Sequence, residues 1–115
     1  MKPLVHVESL LDQAEVALDA GDPEKALGLC NQVLTRAPRH PGAYFVKGDS
    51  LRVIGALVEA AEAYRSAALI QPDHAASWAS LALTSFELLD FEEARRAVSL
   101  SVRESPRNPE AWWVR

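Results

Sequence analysis

Residues 48–51, Gly48-Asp49-Ser50-Leu51, spell a nucleophile signature in which a serine attacks and a histidine with a nearby aspartate activates it. That chemistry needs the serine to follow a strand and a histidine to return near the C-terminus. Here Gly48 to Leu51 fall inside a helical pattern, and the downstream Asp73-His74 are adjacent residues in a turn. Metal chemistry fares no better. His6, His40 and His74 are far apart in sequence, and ligation requires donors about 2 Å from one ion. His40 and His74 read instead as turn or cap residues, and the single cysteine, Cys30, as a small buried hydrophobe that can close no internal disulfide. Arg95, Arg96, Arg103 and Arg107 form a local basic cluster, read as a solvated helix face, with a minor anionic contact as the lesser alternative. The residue types therefore predict no catalytic, cofactor-binding or metal-binding residues and no cofactor.

The elements that carry these residues follow from composition and period. The chain has 115 residues, 49% hydrophobic and 24% charged, enough apolar surface for one folded domain. No apolar run approaches the roughly 20 residues of a membrane span, and the opening Met1-Lys2-Pro3-Leu4-Val5-His6-Val7-Glu8 does not read as a secretory signal. Twelve basic against sixteen acidic residues give a net charge of −4, the wrong sign for a protein that displaces counterions from nucleic acid. A cytoplasmic setting is the default expectation.

One fixed period organises the whole chain. The step from Pro38 to Pro72 recurs from Pro72 to Pro106, and it also separates Ala26, Ala60 and Ala94, and Tyr44, Trp78 and Trp112, with Leu10 in the earlier place. Ala14, Gly48 and Ala82 form a column of small residues, and Gly21 and Gly55 another. Residues 1–115 thus read as one domain of three units, 7–40, 41–74 and 75–108, with a partial fourth at 109–115. Within each unit, apolar residues at helical spacing are broken once near the middle and stopped by a proline. Asp22-Pro23 and Asp90 with Glu93 supply helix starts, and Pro41 and Pro109 open helices in the same way. The small columns predict close helix approach, with Tyr44, Trp78 and Trp112 as the large partners filling the space they leave. One hairpin cannot bury both faces, so the units must stack.

Period, columns and terminal prolines resemble the tetratricopeptide repeat family over essentially residues 7–115. The pattern is carried by Trp78, Leu81, Ala82, Ala94 and Pro106, and by Tyr44, Gly48, Leu51, Ala60, Tyr64, Ala67 and Pro72. Leu10 departs from the first aromatic, Lys47 from a usual leucine and Ser101 from an alanine. The resemblance implies an all-α superhelical solenoid of helix-turn-helix repeats, non-enzymatic, with a concave groove that binds peptides or partner helices along the first helix of each unit. Helical spacing then offers Leu11, Phe45, Ala79 and Trp113 as an apolar row, with Leu83 and Phe86 near it, Glu15, Asp49 and Glu87 beside it, and Arg52 as the nearby cation. Such a surface selects a partner that is apolar with some basic character. One subclass of the family captures acidic C-terminal peptides with lysine, asparagine and arginine, whereas the matching positions here hold Leu11, Glu15, Val46, Ala76 and Ser80. Acidic tails are therefore not expected to bind.

Trp112-Trp113-Val114-Arg115 lie half a helix into a fourth unit, as in a fragment of a longer protein. Trp112 is expected to pack on the third unit, and an open apolar end predicts pairing with another molecule as a homo-oligomer. Two alternatives to groove binding stand beside it: a structural self-assembly module, and the regulatory domain of an enzyme whose catalytic part lies outside this chain.

Overall fold

The structure, a computed structural model, describes residues 3–104, with side chains described for 6–103. Six helices follow one another: α1 (Pro3–Asp19), α2 (Pro23–Arg36), α3 (Pro41–Ile54), α4 (Leu57–Ile70), α5 (Ala75–Glu87) and α6 (Phe91–Glu104). They pair as three hairpins, and each hairpin packs mainly on the next, as an array with dimensions 45 × 26 × 20 Å. The expected all-α solenoid is the observed architecture. Pro106, Pro109, Trp112 and Trp113, with the partial fourth unit, lie outside the described residues.

Local chemistry explains where the helices start. Asp22 accepts the Lys25 N–H at 3.2 Å ahead of Pro23, and Asp90 accepts the Glu93 N–H at 3.2 Å. The Glu93 side chain does not complete the capping box expected there. It is drawn away instead to Arg65 on α4 and to Arg96 at 3.7 Å. His40 caps α3 by accepting the Ala43 N–H on Nδ1 at 3.1 Å while its Nε2 faces Glu8 at 3.2 Å. His74 precedes α5 and hydrogen-bonds the Ser77 hydroxyl at 2.7 Å. Both histidines are thus cap residues, as their spacing suggests.

The turn inside each hairpin repeats one hydrogen-bonding scheme. Gly21, Gly55 and Leu89 occupy the same repeat position and all take positive φ, at 85°, 99° and 64°. Each donates its N–H to the carbonyl three residues back, and the next residue donates to the carbonyl five residues back. Orphan carbonyls at the helix end are satisfied this way. Glycine suits the first two turns, while Leu89 adopts the same left-handed conformation against the steric preference of its Cβ.

The core runs along the array in two linked parts. Val7, Leu10, Ala14, Ala26, Cys30 and Val33 join α1 and α2 to Ala43 and Val46 of α3. Leu51, Ala60, Tyr64, Trp78, Leu81, Ala82 and Ala97 continue it through α4, α5 and α6. Helix α3 belongs to both parts, which is why no hairpin stands alone. The columns of Ala26, Ala60 and Ala94 are buried as their size suggests. The large partner of Gly48, however, is Tyr64 and not the aromatic column: a Cβ at Gly48 would meet the Tyr64 ring at 2.7 Å. Tyr44 and Trp78 have a different task. Tyr44 Oη donates to the Pro38 carbonyl at 3.1 Å and Trp78 Nε1 donates to the Pro72 carbonyl at 2.9 Å, tying each first helix to the turn before it.

Candidate functional site

Helices α1, α3 and α5 share one side of the array, and a cleft of about 500 Å³ opens where they meet α4. Its lining is Leu18 of α1; Asp49, Arg52 and Val53 of α3; Leu57 and Tyr64 of α4; and Glu87 of α5. Val53 is 65% exposed and supplies open apolar surface. Around it the polar groups are held in place. The Arg52 guanidinium grips Glu87 with two nitrogens, Nε to Oε1 at 3.1 Å and Nη2 to Oε2 at 3.3 Å, bridging α3 to α5. Glu87 thereby pushes the Arg52 pKa above its ordinary value, chiefly through this hydrogen bond. Tyr64 donates its hydroxyl to Asp49 and is fully buried below the cleft, and burial followed by that bond drives its phenol pKa upward.

The residues proposed from spacing divide among three environments. Asp49, Arg52 and Glu87 come together in the cleft. Phe45 is half-buried, its ring 5.7 Å from Tyr64 and 5.3 Å from His74 in an edge-on contact, so it forms the cleft's support and not its open floor. Glu15 is exposed on α1, one repeat before Asp49. Leu83 is half-buried on α5.

Leu11 and Ala79 are corrections, because both are closed inside the core at 8% and 1% exposure. Leu11 packs close to Gly42, where a Cβ would meet its Cδ2 at 3.1 Å. Phe86 is a third correction. It stacks edge-on with Phe91 at 5.6 Å on the outer side of the last hairpin and lines a separate cleft with α6. Trp113 lies outside the described residues. Helical spacing also puts Leu18 and Val53 on this face of α1 and α3; it missed Leu57 and Tyr64 as lining residues, because they enter from the second helix of the unit.

Among the described residues, Ser50 and Cys30 are closed off from solvent. Ser50 is fully buried in α3 and spends its hydroxyl on the Val46 carbonyl at 2.9 Å, leaving no path for a substrate. Cys30 is buried with its thiol pKa raised to about 12, first by desolvation. Among the described residues no three His, Cys, Asp or Glu side chains are placed to hold a metal ion. None of the described helices is long and apolar enough to cross a membrane. Another cleft, about 320 Å³ and lined by α2, α3 and α4, includes Lys47, Glu59 and Glu62.

Solved structures share this arrangement. The Sgt2 TPR domain from Aspergillus fumigatus aligns with a TM-score of 0.89 and 21% identity, covering 95% of this chain and 74% of that one. The second TPR domain of human RPAP3, in complex with the HSP70 peptide SGPTIEEVD, aligns with a TM-score of 0.92 and 16% identity over 98% of this chain and 94% of that one. The Arabidopsis OM64 TPR domain aligns at 0.91 and 14% identity, covering 98% and 93%. At these identities the likeness is one of fold. Among curated proteins no sequence match is found. The sequence pattern of the tetratricopeptide repeat itself matches residues 11–75, more than half of the chain. With that match, the constant repeat length and the stacked hairpins, the chain belongs to the tetratricopeptide repeat family.

Proposed function

We propose that this chain is a non-enzymatic protein-interaction scaffold whose groove along α1, α3 and α5 receives a peptide or partner helix of apolar and basic character. The carrying observation is the cleft's charge arrangement. Carboxylates of Asp49 and Glu87 stand beside Leu18, Val53 and Leu57, while Arg52, the one cation among the described lining residues, is engaged by Glu87. A cationic side chain entering there meets carboxylate oxygens, and an entering carboxylate meets repulsion. The likeness to the human domain holding SGPTIEEVD supports a peptide as the kind of ligand, but not that peptide's charge. Leu11 and Val46, two of the positions where a tail-capturing cation or amide would stand, are buried apolar residues, and Glu15 is an exposed acid. The single buried thiol suits a reducing, cytoplasmic setting.

Calorimetry with two probes tests this reading: an amphipathic helical peptide of leucine and lysine, and the acidic peptide SGPTIEEVD. The first should bind, lose affinity as salt rises, and bind Val53→Lys protein roughly tenfold more weakly with its melting temperature unchanged. The second should give no measurable heat. Micromolar affinity for the acidic peptide, or equal binding of the basic one to wild type and Val53→Lys, would overturn the proposal.

A further inference from the structure

We propose that His40 makes the joint between the first and second hairpins sensitive to pH, holding it when neutral and loosening it when protonated. The ring stands between two helices. Its Nδ1 accepts the Ala43 N–H at 3.1 Å, capping α3, while its Nε2 lies 3.2 Å from the Glu8 carboxylate of α1. One form of imidazole satisfies both contacts, the neutral tautomer that carries its proton on Nε2. Taking up a further proton places an N–H on Nδ1, opposite the N–H of Ala43. The bond to Glu8 survives that change and the cap does not.

Losing this cap differs from losing one at an exposed helix end. Ala43 is 0% exposed and belongs to the core with Leu11 and Val46, so water does not take over its N–H while the turn stays in place. The ring is also close-packed, since a Cβ at Gly42 would meet His40 Cε1 and Leu11 Cδ2, each at 3.1 Å. The first turn of α3 must therefore shift before a protonated ring and the Ala43 N–H are both satisfied. His74 occupies the same repeat position and is built differently. Its Nδ1 lies 2.7 Å from the Ser77 hydroxyl, which accepts from a protonated ring as readily as it donates to a neutral one. Few charges act on the His40 ring. Glu8 on α1 is the charged side chain bonded to it, and α3 has no acid in its first turn. Arg36 at the end of α2 and Arg39 in the turn are the cations nearest to it along the chain.

Magnetic resonance of the histidine rings and backbone amides of the full chain, titrated from about pH 8 to about pH 5, tests this. At the upper end, long-range nitrogen–proton spectra should show the His40 proton on Nε2. On acidification the Ala43 amide should shift with the midpoint of the His40 ring. Its hydrogen exchange, corrected for the intrinsic effect of pH, should quicken roughly two- to thirtyfold in the acid form. His40→Asn keeps an acceptor at the cap without a titrating ring, so its Ala43 amide should show neither change. A proton on Nδ1 at the upper end, or an Ala43 amide that ignores the His40 midpoint, refutes the proposal in the unaltered protein, whether or not the variant folds. The same amide titration in His40→Asn protein refutes it as well.

Discussion

Gly48 owes its place to a ring that needs the room of a missing side chain. A Cβ there would stand 2.7 Å from both Cδ1 and Cε1 of Tyr64, and that ring cannot swing aside because it is fully buried and its hydroxyl is bonded to Asp49. Alanine favours a helix over glycine by about 1 kcal/mol, while overpacking costs about 1–3 kcal/mol, so the steric effect dominates. Gly48→Ala should therefore lower stability in urea unfolding. Gly28→Ala, in exposed helix with no atom within 4 Å, should raise it by about 0.5–1 kcal/mol. The repeat made the need for a small residue at 48 legible, but not its partner. A period states which positions are equivalent, and leaves open which facing side chain fills the space. The same gap misplaced Leu11, which packs in the core beside Gly42, a residue from the next unit.

Cys30 ties burial to pH. Its folded pKa is about 12 against an ordinary value of 9.0, raised first by desolvation. Between those values the unfolded chain releases the thiol proton and the folded chain keeps it, so stability must fall as pH rises through that window. Tyr64, also raised, acts in the same direction at higher pH. Urea midpoints measured from pH 7 to 11 should decline above pH 9, and the decline should be shallower in Cys30→Ala protein. An identical slope in the variant would show that Cys30 is not the source.

At the scale of the element, the hairpin turns were half legible. Gly21 and Gly55 marked the left-handed residue of the first two turns, and their column continues at Leu89, where no glycine signals it. The backbone hydrogen bonds of the turn impose the conformation regardless of residue type. Leu89 is 71% exposed, so little burial is lost on removing its side chain. Relief of the left-handed strain, about 1–2 kcal/mol, exceeds the roughly 0.5–1 kcal/mol that glycine's unfolded freedom costs. Leu89→Gly is expected to raise the thermal midpoint, and a lowered midpoint would contradict this account of the turn. Helix starts were more fully legible, since Asp22 and Asp90 cap as their positions suggest. The remaining start, at Ala56 in the same column, has no side-chain cap, and α4 relies on packing instead.

Over the whole molecule, the period was readable because stacking repeats one interface along the chain, so each unit must keep the same residues at the same places. The groove was less readable. Its cleft is built from three successive units, and its charge depends on pairings such as Arg52 with Glu87 across 35 residues, which no single repeat contains. Phe86 stood at the register position of Arg52 and so looked like groove, but the last hairpin turns it toward Phe91 and the α6 cleft.

A cleft beside α6, lined by Phe86, Phe91, Val98 and Val102 with Arg95 and Arg103, and the acidic cleft thus lie on one small array, and the acidic one is the cleft assigned to a partner. Amide chemical-shift mapping with the leucine–lysine peptide tests this most directly. Saturating peptide should move the resonances of Leu18, Asp49, Val53 and Glu87 together and leave Val98 and Val102 in place. Shifts confined to Phe86, Phe91, Val98 and Val102, or none at the acidic cleft, would contradict it.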